Sequence, residues 1–328
     1  MNIILLSLLF NLQLLANDKL VDISQIPKMP TEIQKYTRIV AIGDLHGDWE
    51  QTKKALLLSG AFKKEKKGFM STEWQWTGGN TYVVQVGDQL DRWHDDRKIM
   101  DTLAKLRILA AKGGGGFFPL LGNHEIMNLQ FKFKYVTKNS MNLFKDFDDK
   151  GPWRFSTYLP PNYLDMLTEH KLPHEPGRFN AFSKNGYYRK LLSTQNVVMK
   201  IGDIIFVHGG IGGGLGLSLE ELNNTYKEWI LNGDPNKKNQ YIDNEAYSPV
   251  WTKIYYDKHK EEPNCSELEK ALKLYKASMM VVGHIKRDKI RSNCNGKLWL
   301  IDVGMSRAFN EEVQILDLRP GVPPRVLK

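Results

Sequence analysis

Cysteine is scarce in this 328-residue chain, and the way it is used excludes two kinds of site. The two cysteines are Cys265 and Cys294, and neither stands in a C-x-x-C pair or at a metal-ligand spacing. A thiolate zinc site and a dithiol redox motif are therefore excluded. If the chain is exported, the two thiols could pair and close a loop worth about 3 to 4 kcal/mol of stability. In the cytosol they would be two reduced thiols.

Motifs for nucleic-acid binding are also missing, although the net charge is +9. There is no zinc finger, basic zipper or aromatic RNA-binding sheet, so we expect no nucleic-acid partner. The densest basic run, from Lys63 to Lys67, is interpreted as a solvated loop and only weakly as a docking patch for an anionic partner. The glycine-rich stretches near Gly113 and Gly209 lack the Lys-Ser or Lys-Thr of a phosphate-cradling loop and are interpreted as turns.

Long hydrophobic runs are confined to the N-terminus, where "MNIILLSLLFNLQLLA" is too short to span a bilayer comfortably. This stretch ends at Ala16 before polar residues, which predicts a signal peptide over residues 1–16 and export to the periplasm or the medium. The alternative is an N-terminal helix packed on a cytoplasmic domain. No stable membrane span is expected, and the sequence does not indicate an oligomeric state.

Short apolar runs recur through the rest of the chain and are typical of strands covered on both faces. Helical patterns at Trp49 to Leu58 and Lys98 to Ala111 separate the first three runs and predict a parallel βαβαβ opening. A later pair of runs turns at Gly202-Asp203 as a hairpin. The fold class is therefore α/β with a mixed sheet or two packed sheets. The predicted strands are Ile39 to Ile42, Tyr82 to Val86, Phe117 to Leu121, Val197 to Ile201, Ile204 to Val207, Met279 to Val282, Leu298 to Val303 and Val313 to Leu318.

The hydrophobic content of 41% is enough to bury a large core, and we expect a main domain over residues 30–328. Residues 131 to about 190 break the strand rhythm with aromatics, prolines and charges. We interpret them as an inserted cap of helix and loop. A cap over a sheet edge is a natural place for substrate selection.

Potential metal ligands follow a glycine at the end of each early strand. The sequences are Gly43-Asp44-Leu45-His46, Gly87-Asp88-Gln89-Leu90-Asp91-Arg92 and Gly122-Asn123-His124-Glu125, with His208-Gly209-Gly210 and Gly283-His284 after two later strands. Because the carboxyl ends of strands in an open α/β sheet converge on one crevice, these side chains can meet. A mixed set of oxygen and nitrogen ligands suits Mn, Fe or Zn better than Ca.

Each of these elements also has an ordinary explanation. A single aspartate after a strand is more often a helix N-cap, which is our interpretation of Asp48, and a single histidine is more often a structural residue. Five such elements in order at one sheet edge make the ordinary explanation improbable. The series therefore predicts a metal centre.

The series GDLHG, GDQLDR, GNHE, HGG and GH resembles that of the metal-dependent phosphoprotein phosphatases, within the calcineurin-like metallophosphoesterases. The extended "GNHEIMNLQ" and the "SPVW" before the last histidine motif resemble the bacterial-type branch called Shewanella-like phosphatases. The resemblance covers about residues 38 to 305. It implies a sandwich of two mixed β-sheets flanked by helices.

The resemblance also implies a role for each motif residue. Asp44 and His46 would hold a first metal, Asp88 would bridge, and Asn123, His208 and His284 would complete the second site. A hydroxide shared by the two metals would attack the phosphorus atom, so no covalent phosphoenzyme is needed. His124 is implied as the general acid, with Asp91 orienting its ring, and Arg92 as a ligand of the phosphate oxygens. An ion pair with Asp91 or Asp95 is the alternative role for Arg92.

Two positions depart from the family pattern. Trp93 stands where a glycine usually follows Asp-Arg, and Lys253 stands where related bacterial enzymes carry an arginine. Lysine keeps the charge but has no bidentate fork, so Lys253 would bind the substrate only as a point charge. Arg189, in "GYYRKLL", is a second candidate for a cation that faces the substrate.

Three functions remain open from the sequence. The first is a binuclear phosphomonoesterase that acts on phosphoproteins. The second is the same chemistry on nucleotides or other small phosphorylated molecules. The third is a metal-binding scaffold without turnover, which the complete set of ligands and acid argues against.

Overall fold

The computed structural model describes residues 20–67, 71–147, 163–173, 176–233, 238–255 and 263–328. The predicted signal peptide, residues 1–16, lies outside these ranges. The strands are β1 (Glu32–Ile33), β2 (Ile39–Ile42), β3 (Phe62–Lys67), β4 (Ser71–Trp76), β5 (Tyr82–Gln85), β6 (Gly116–Pro119), β7 (Val198–Ile201), β8 (Ile204–Val207), β9 (Met279–Val282), β10 (Arg291–Asn293), β11 (Leu298–Leu300), β12 (Ile315–Arg319) and β13 (Val322–Leu327).

The helices lie between these strands. They are α1 (Trp49–Leu58), α2 (Asp96–Lys112), α3 (Asn123–Leu129), α4 (Lys138–Asn142), α5 (Tyr163–Glu169), α6 (Gly177–Phe182), α7 (Tyr187–Leu192), α8 (Leu219–Asn232), α9 (Gln240–Asp243) and α10 (Cys265–Leu274). Among the described residues, no helix is both long enough and apolar enough to cross a membrane.

Two mixed sheets carry the chain, as the sequence predicts. One contains β13-β12-β2-β5-β6 in that order, and the other contains β1-β7-β8-β9-β11-β10. In the first sheet β2, β5 and β6 are parallel neighbours, which confirms the βαβαβ opening. In the second, β7 and β8 form the antiparallel hairpin expected at Gly202-Asp203. The carboxyl ends of the parallel strands therefore deliver their loops to shared edges.

Apolar side chains of the two sheets meet in one core. Phe206 of β8 packs with Val84 of β5 and Val281 of β9 in a cluster that also contains inward-facing residues of α1 and α2. The alternate residues of β8, Ile205 and Val207, belong to a second cluster on the other face of that sheet. Because neighbouring side chains of a strand point to opposite faces, β8 is covered on both sides, which explains its continuous apolar run.

The lysine run from Lys63 to Lys67 is a strand, so the prediction of a loop there is wrong. It forms β3, which pairs with β4 in an antiparallel hairpin that sets Phe62 opposite Trp76 and Lys64 opposite Trp74. The Lys64 ammonium lies 5.0 Å from the Trp74 ring centroid and 5.3 Å from that of Trp49. Aromatic residues on the partner strand therefore supply the packing that the charged run lacks by itself.

The segment predicted as a cap is helical where the structure describes it. Between residues 131 and 190 the described parts hold α4, α5, α6 and most of α7, together with a short 3₁₀ turn at Lys145–Phe147, and no strand. Residues 148–162 and 174–175 lie outside the described ranges. The aromatic side chains Phe133, Phe144, Phe179, Phe182 and Tyr188 are buried in this segment.

Cys265 and Cys294 form a disulfide with their Cα atoms 5.4 Å apart. The bond joins the first residue of α10 to the turn between β10 and β11. It closes a loop across 29 positions of sequence.

Candidate metal centre and active site

The predicted ligands converge at the ends of strands from both sheets. Asp44 and His46 follow β2, and Asp88 follows β5. Asn123 opens α3 after β6, while His208 follows β8 and His284 follows β9. All six side chains come from loops or helix starts that are rigidly attached to buried strands.

Asp88 lies at the centre of the group. One of its carboxylate oxygens is 3.8 Å from Nε2 of His46, and the other is 3.3 Å from Nε2 of His208. Two clusters with ligand atoms within 4.8 Å of one another share Asp88, namely His46-Asp88-His124 and Asp88-His208-His284. Asp44 Oδ2 lies 4.0 Å from Nε2 of His46, beside the first cluster. Asp88 is thus shared by both clusters of candidate ligands.

Left-handed backbone is concentrated in these loops. His46, Asp88, Asp91, Arg92 and His284 have φ angles of 46°, 56°, 70°, 71° and 64°. Residues with a Cβ rarely adopt this conformation, and each instance costs on the order of 1 kcal/mol or more. Such strain persists where the surrounding structure enforces it, and it commonly marks functional sites.

Gly122 has a steric role beside Asp88. A Cβ at this position would lie 2.3 Å from the Asp88 backbone nitrogen and 2.3 Å from its Oδ1. No larger residue fits at this approach without moving the carboxylate. The glycine that ends β6 therefore allows the loops after β5 and β6 to meet.

His46 and His208 both direct Nε2 toward Asp88. Nδ1 of His208 lies 2.9 Å from the Val86 carbonyl and Nδ1 of His46 lies 3.3 Å from that of Leu90. A carbonyl accepts only, so Nδ1 carries the hydrogen in both rings, and Nε2 is the atom that faces Asp88. Nε2 of His208 also lies 2.9 Å from Asn123 Oδ1, another proposed ligand atom. Burial, followed by the charge of His124, lowers the pKa of His46 to about 3. Burial, followed by His208, lowers the pKa of His284 to about 3.

Two features make the six predicted ligands suitable for binding cations. Nε2 of His284 is buried and has no hydrogen-bond partner among the described residues. Burial, Asp302 and Asp88, in that order, raise the pKa of Asp44 well above its usual range. A divalent cation would satisfy the first atom and offset the repulsion around the second. The donor set of carboxylate, imidazole and amide oxygen is therefore chemically suited to metal binding.

His124 is held by Asp91. Its Nδ1 lies 2.7 Å from Asp91 Oδ2, and both side chains are buried. Burial favours the neutral ring, but the carboxylates of Asp88 and Asp91 outweigh it and raise the pKa of His124 to about 9. The two carboxylates therefore favour the protonated ring, which is the form that a general acid requires. Its Nε2 also lies 3.8 Å from Asp88 Oδ2, so its position fits a metal ligand as well as a general acid. Measurement of the metal content of a His124 variant distinguishes these two roles.

Arg92 lies at the edge of the centre. Its guanidinium carbon is 3.8 Å from the Tyr135 ring centroid, and its backbone nitrogen donates to the Tyr135 carbonyl. Its charge contributes to the low pKa of His46 and opposes the rise in the pKa of His124. Among the described residues no acid forms an ion pair with Arg92, and the alternative pairing with Asp91 or Asp95 is not observed.

The two other predicted cations differ in position. Lys253 is exposed, and its charge contributes to the low pKa of His284. Arg189 is buried, and its guanidinium donates to the carbonyls of Phe182, Ile230 and Leu129. Because its donors are used by backbone carbonyls of three different helices, the prediction that Arg189 faces the substrate is wrong.

Trp93 and Asp48 form a small structure beside the centre. Trp93 stacks on His94 with the ring centroids 4.5 Å apart, and the Arg307 guanidinium lies 4.9 Å from the Trp93 ring. Asp48 caps α1 by accepting from the Gln51 nitrogen, as predicted, and also binds Arg307 through both carboxylate oxygens. The ring that replaces the expected glycine therefore supports an arginine.

Sequence reasoning did not assign a role to Glu125. Its carboxylate accepts from the backbone nitrogens of Asp88, Gln89 and Gly122 at 2.7–2.9 Å. Burial and the Asp88 charge raise its pKa to about 7. Glu125 ties the loop after β5 to the start of α3. It stands three residues after Gly122 and accepts from that backbone nitrogen, as the glutamate of a capping box does, but a glycine has no capping side chain and the sequence signal is therefore missing.

Arg178 is a second site-related residue without a sequence signal. It is fully buried on α6, and its guanidinium reaches Asp91, Asp96, Asn128 and Ser140. The arginine of the helical segment that contacts the active-site network is therefore Arg178 and not Arg189.

Comparisons with known proteins agree with this geometry. A family model described as calcineurin-like phosphoesterase matches residues 37–288. Shewanella-like protein phosphatase 2 of Arabidopsis thaliana is 32% identical over 318 residues, covering 90% of this chain and 78% of that protein. Shewanella-like protein phosphatase 1 of Plasmodium berghei is 30% identical over 284 residues, covering 83% of this chain and 68% of that protein.

A solved structure supports the fold. The crystal structure of the cold-active protein-tyrosine phosphatase of a psychrophilic Shewanella species superposes with a TM-score of 0.71 at 20% identity. The superposition covers 94% of this chain and 86% of that one. These findings confirm the predicted resemblance and the α/β sandwich. The chain therefore belongs to the calcineurin-like phosphoesterases, and it is a metal-dependent phosphatase of that family.

Proposed function

We propose that the chain is a phosphomonoesterase with two divalent cations that acts on phosphorylated proteins. The observation that carries this proposal is the position of Asp88 in two ligand clusters. A carboxylate between two cations partly neutralises both, which makes a close pair of metals possible. The relatives named as protein phosphatases support the choice of a protein substrate.

Each proposed cation has a set of ligands, and the two sets share Asp88. Asp44, His46 and Asp88 would hold the first, while Asp88, Asn123, His208 and His284 would hold the second. The mixture of imidazole and oxygen donors suits Mn, Fe or Zn. When bound, the metals supply Lewis-acid activation of water and of the phosphoryl oxygens.

The chain's own side chains supply substrate binding and the proton. Arg92 binds the phosphate oxygens through its planar fork, and the Tyr135 ring beneath it limits its motion. His124 gives the proton on Nε2 to the oxygen of the departing alcohol. Asp91 holds Nδ1 of the same ring, so that Nε2 faces the substrate side. Lys253, at the exposed rim beside His284, adds positive charge for the incoming phosphate.

The substrate class is tested with a panel on manganese-loaded protein. Phosphoserine, phosphothreonine and phosphotyrosine peptides are compared with nucleotides by kcat/KM. We expect at least one peptide to be hydrolysed faster than every nucleotide. The phosphotyrosine peptide is included because a similar structure is described as a protein-tyrosine phosphatase. Faster turnover of nucleotides than of all peptides would reject the protein substrate while leaving the phosphatase chemistry intact.

We also propose that the protein is exported and that residues 1–16 are a signal peptide. A disulfide between Cys265 and Cys294 supports this, because such bonds persist in oxidising compartments. N-terminal sequencing of the mature protein tests the proposal. A mature chain that begins at the initiator methionine and remains in the cytoplasm would reject it.

A further inference from the structure

Asp91 has more partners than the orientation of one histidine requires. Its Oδ2 lies 2.7 Å from Nδ1 of His124. Its Oδ1 accepts from Asn128 Nδ2 at 3.0 Å and from the Arg178 guanidinium at 3.2 Å. The carboxylate is therefore fixed from two sides, with the histidine on one side and a buried arginine on the other.

Arg178 binds the surroundings of Asp91 as well as the carboxylate itself. Its Nε donates to Asn128 Oδ1 at 2.9 Å, so it also orients the amide that holds Asp91. A terminal nitrogen donates to Asp96 Oδ2 at 2.8 Å, while Asp96 Oδ1 accepts from the backbone nitrogen of Asp91 at 2.9 Å. One guanidinium thus fixes both the side chain and, through Asp96, the main chain of Asp91.

The protein holds this guanidinium in a dry and closely packed place. Arg178 is fully buried, and its guanidinium carbon lies 4.8 Å from the Phe144 ring, 5.4 Å from Phe182 and 5.7 Å from Phe133. Gly177 lets α6 approach this position, because a Cβ there would lie 2.0 Å from the Phe144 carbonyl oxygen. In such surroundings a planar fork with fixed partners keeps a single orientation.

We propose that Arg178 is a positioning residue for the general acid, acting on His124 through Asp91. This inference rests on the proposed phosphatase mechanism and adds a residue from the helical segment to it. Removal of the guanidinium leaves Asp91 with one fewer partner on Oδ1 and leaves Asp96 beside it without a countercharge. The carboxylate can then rotate, and the His124 ring loses its fixed direction. Proton delivery to the leaving oxygen suffers, while attack on phosphorus does not.

A comparison of two phosphate esters with different leaving groups distinguishes this positioning role from a purely structural one. The phenolate of phenyl phosphate is a poor leaving group and needs a proton on its oxygen. The dinitrophenolate of dinitrophenyl phosphate leaves readily without one. Because both esters are assayed on one preparation, the fraction of folded enzyme cancels in the ratio of their kcat/KM values. Arg178→Gln should lower kcat/KM for phenyl phosphate about 10- to 100-fold and for dinitrophenyl phosphate less than about 3-fold.

Arg107→Gln is the matched control. Arg107 is also a buried arginine, but its guanidinium donates to Thr194 and to the Pro27 carbonyl. Its loss should reduce both rates equally and leave the ratio at the wild-type value. An Arg178→Gln ratio that also equals the wild-type value would overturn the positioning role.

Two further variants complete the test. If Arg178→Gln does not fold, Arg178→Lys takes its place, because lysine keeps the charge but lacks the planar guanidinium. In this variant kcat/KM for phenyl phosphate should still fall relative to kcat/KM for dinitrophenyl phosphate. A wild-type ratio in Arg178→Lys would then count against the proposal. In a His124→Asn background, Arg178→Gln should cause no further change in the ratio, whereas an additive change would show that it acts elsewhere. A wild-type enzyme that hydrolysed neither ester would reject the proposed function itself.

Discussion

The loops after β2, β5 and β6 and the helical segment that contains α4 to α7 both bring buried charge to the active site, by different means. The loops use short motifs in which glycines and left-handed residues such as Asp88 and Asp91 set the direction of each side chain. The helical segment uses an ordinary helix, α6, whose Arg178 reaches the site because aromatic side chains pack around it. Local backbone conformation positions the first set of groups, and tertiary packing positions the second.

The comparison predicts which measurements should respond to changes in each region. Variants at the proposed ligand positions in the loops, and at the glycines that bring those positions together, should affect metal content. Variants in the helical segment should leave the metals in place and affect stability or proton delivery.

Asp88→Asn should have the largest effect. Its carboxylate is shared by both ligand clusters, so a neutral amide weakens both cation sites together. We expect metal content to fall below one ion per chain and kcat/KM to drop by more than about 1000-fold, since metal activation supplies several kcal/mol of transition-state stabilisation. Elemental analysis and an aryl phosphate assay on the same sample measure both quantities. A fully metal-loaded Asp88→Asn protein would contradict the central position of this residue.

His124→Asn should slow turnover without removing metal. The general acid is worth about 100- to 10,000-fold in rate, and the effect should be largest for esters with poor leaving groups. His124 binds Asp91 through Nδ1, and its Nε2 lies 3.8 Å from Asp88. Elemental analysis separates the two possible roles, because a ligand would take metal with it when removed. Loss of metal in this variant would refute the general-acid assignment.

The loops were predictable from sequence to a degree that the helical segment was not. Asp44, His46 and Asp88 each follow an apolar run by a few positions, so a local pattern places them at a strand end. Arg178 contacts Asp91 and Asp96 across 87 and 82 positions of sequence, and no local pattern encodes a contact of that range. Sequence reasoning therefore chose Arg189 from the same segment, although its donors bind carbonyl groups.

The fold shows the same division. The bounds of β2, β8, β9 and α1 follow from apolar patterns and agree with the structure. Strand β3 was not predicted, because its run of lysines shows no alternation of apolar and polar residues. The apolar surface against which it packs comes from Trp74 and Trp76 on β4. Strand β13 contains Pro323 and Pro324, which sequence rules count against a strand. It lies at a sheet edge, where a missing backbone donor is tolerated.

Gly122→Ala tests the loop side with a change that removes no ligand. The added Cβ would lie 2.3 Å from Asp88 Oδ1, so the carboxylate or the start of α3 must shift. We expect metal affinity to fall about 10- to 100-fold, the range seen when groups that orient ligands are disturbed. Titration with manganese, followed by activity, measures the change. Unchanged affinity would show that the loops tolerate movement and that the strained backbone has no role in metal binding.

Gly177→Ala makes the equivalent change in the helical segment and should have the smallest effect on catalysis. The added Cβ would lie 2.0 Å from the Phe144 carbonyl oxygen, so α6 must move away from its neighbour. Overpacking of this kind costs about 1 to 3 kcal/mol, which should appear in the free energy of unfolding. Gly214→Ala is the control, because a Cβ added there would meet no atom of the described residues within 4 Å.

Metal content in Gly177→Ala should stay at the wild-type level, because α6 carries none of the proposed ligands. The displacement of Arg178 should nevertheless shift discrimination between phenyl and dinitrophenyl esters by a few fold, since its guanidinium holds Asp91. Elemental analysis and the two-ester assay measure these quantities on one sample. A loss of metal in Gly177→Ala would break the division between the two regions, since packing of α6 would then control the ligands as well as the acid.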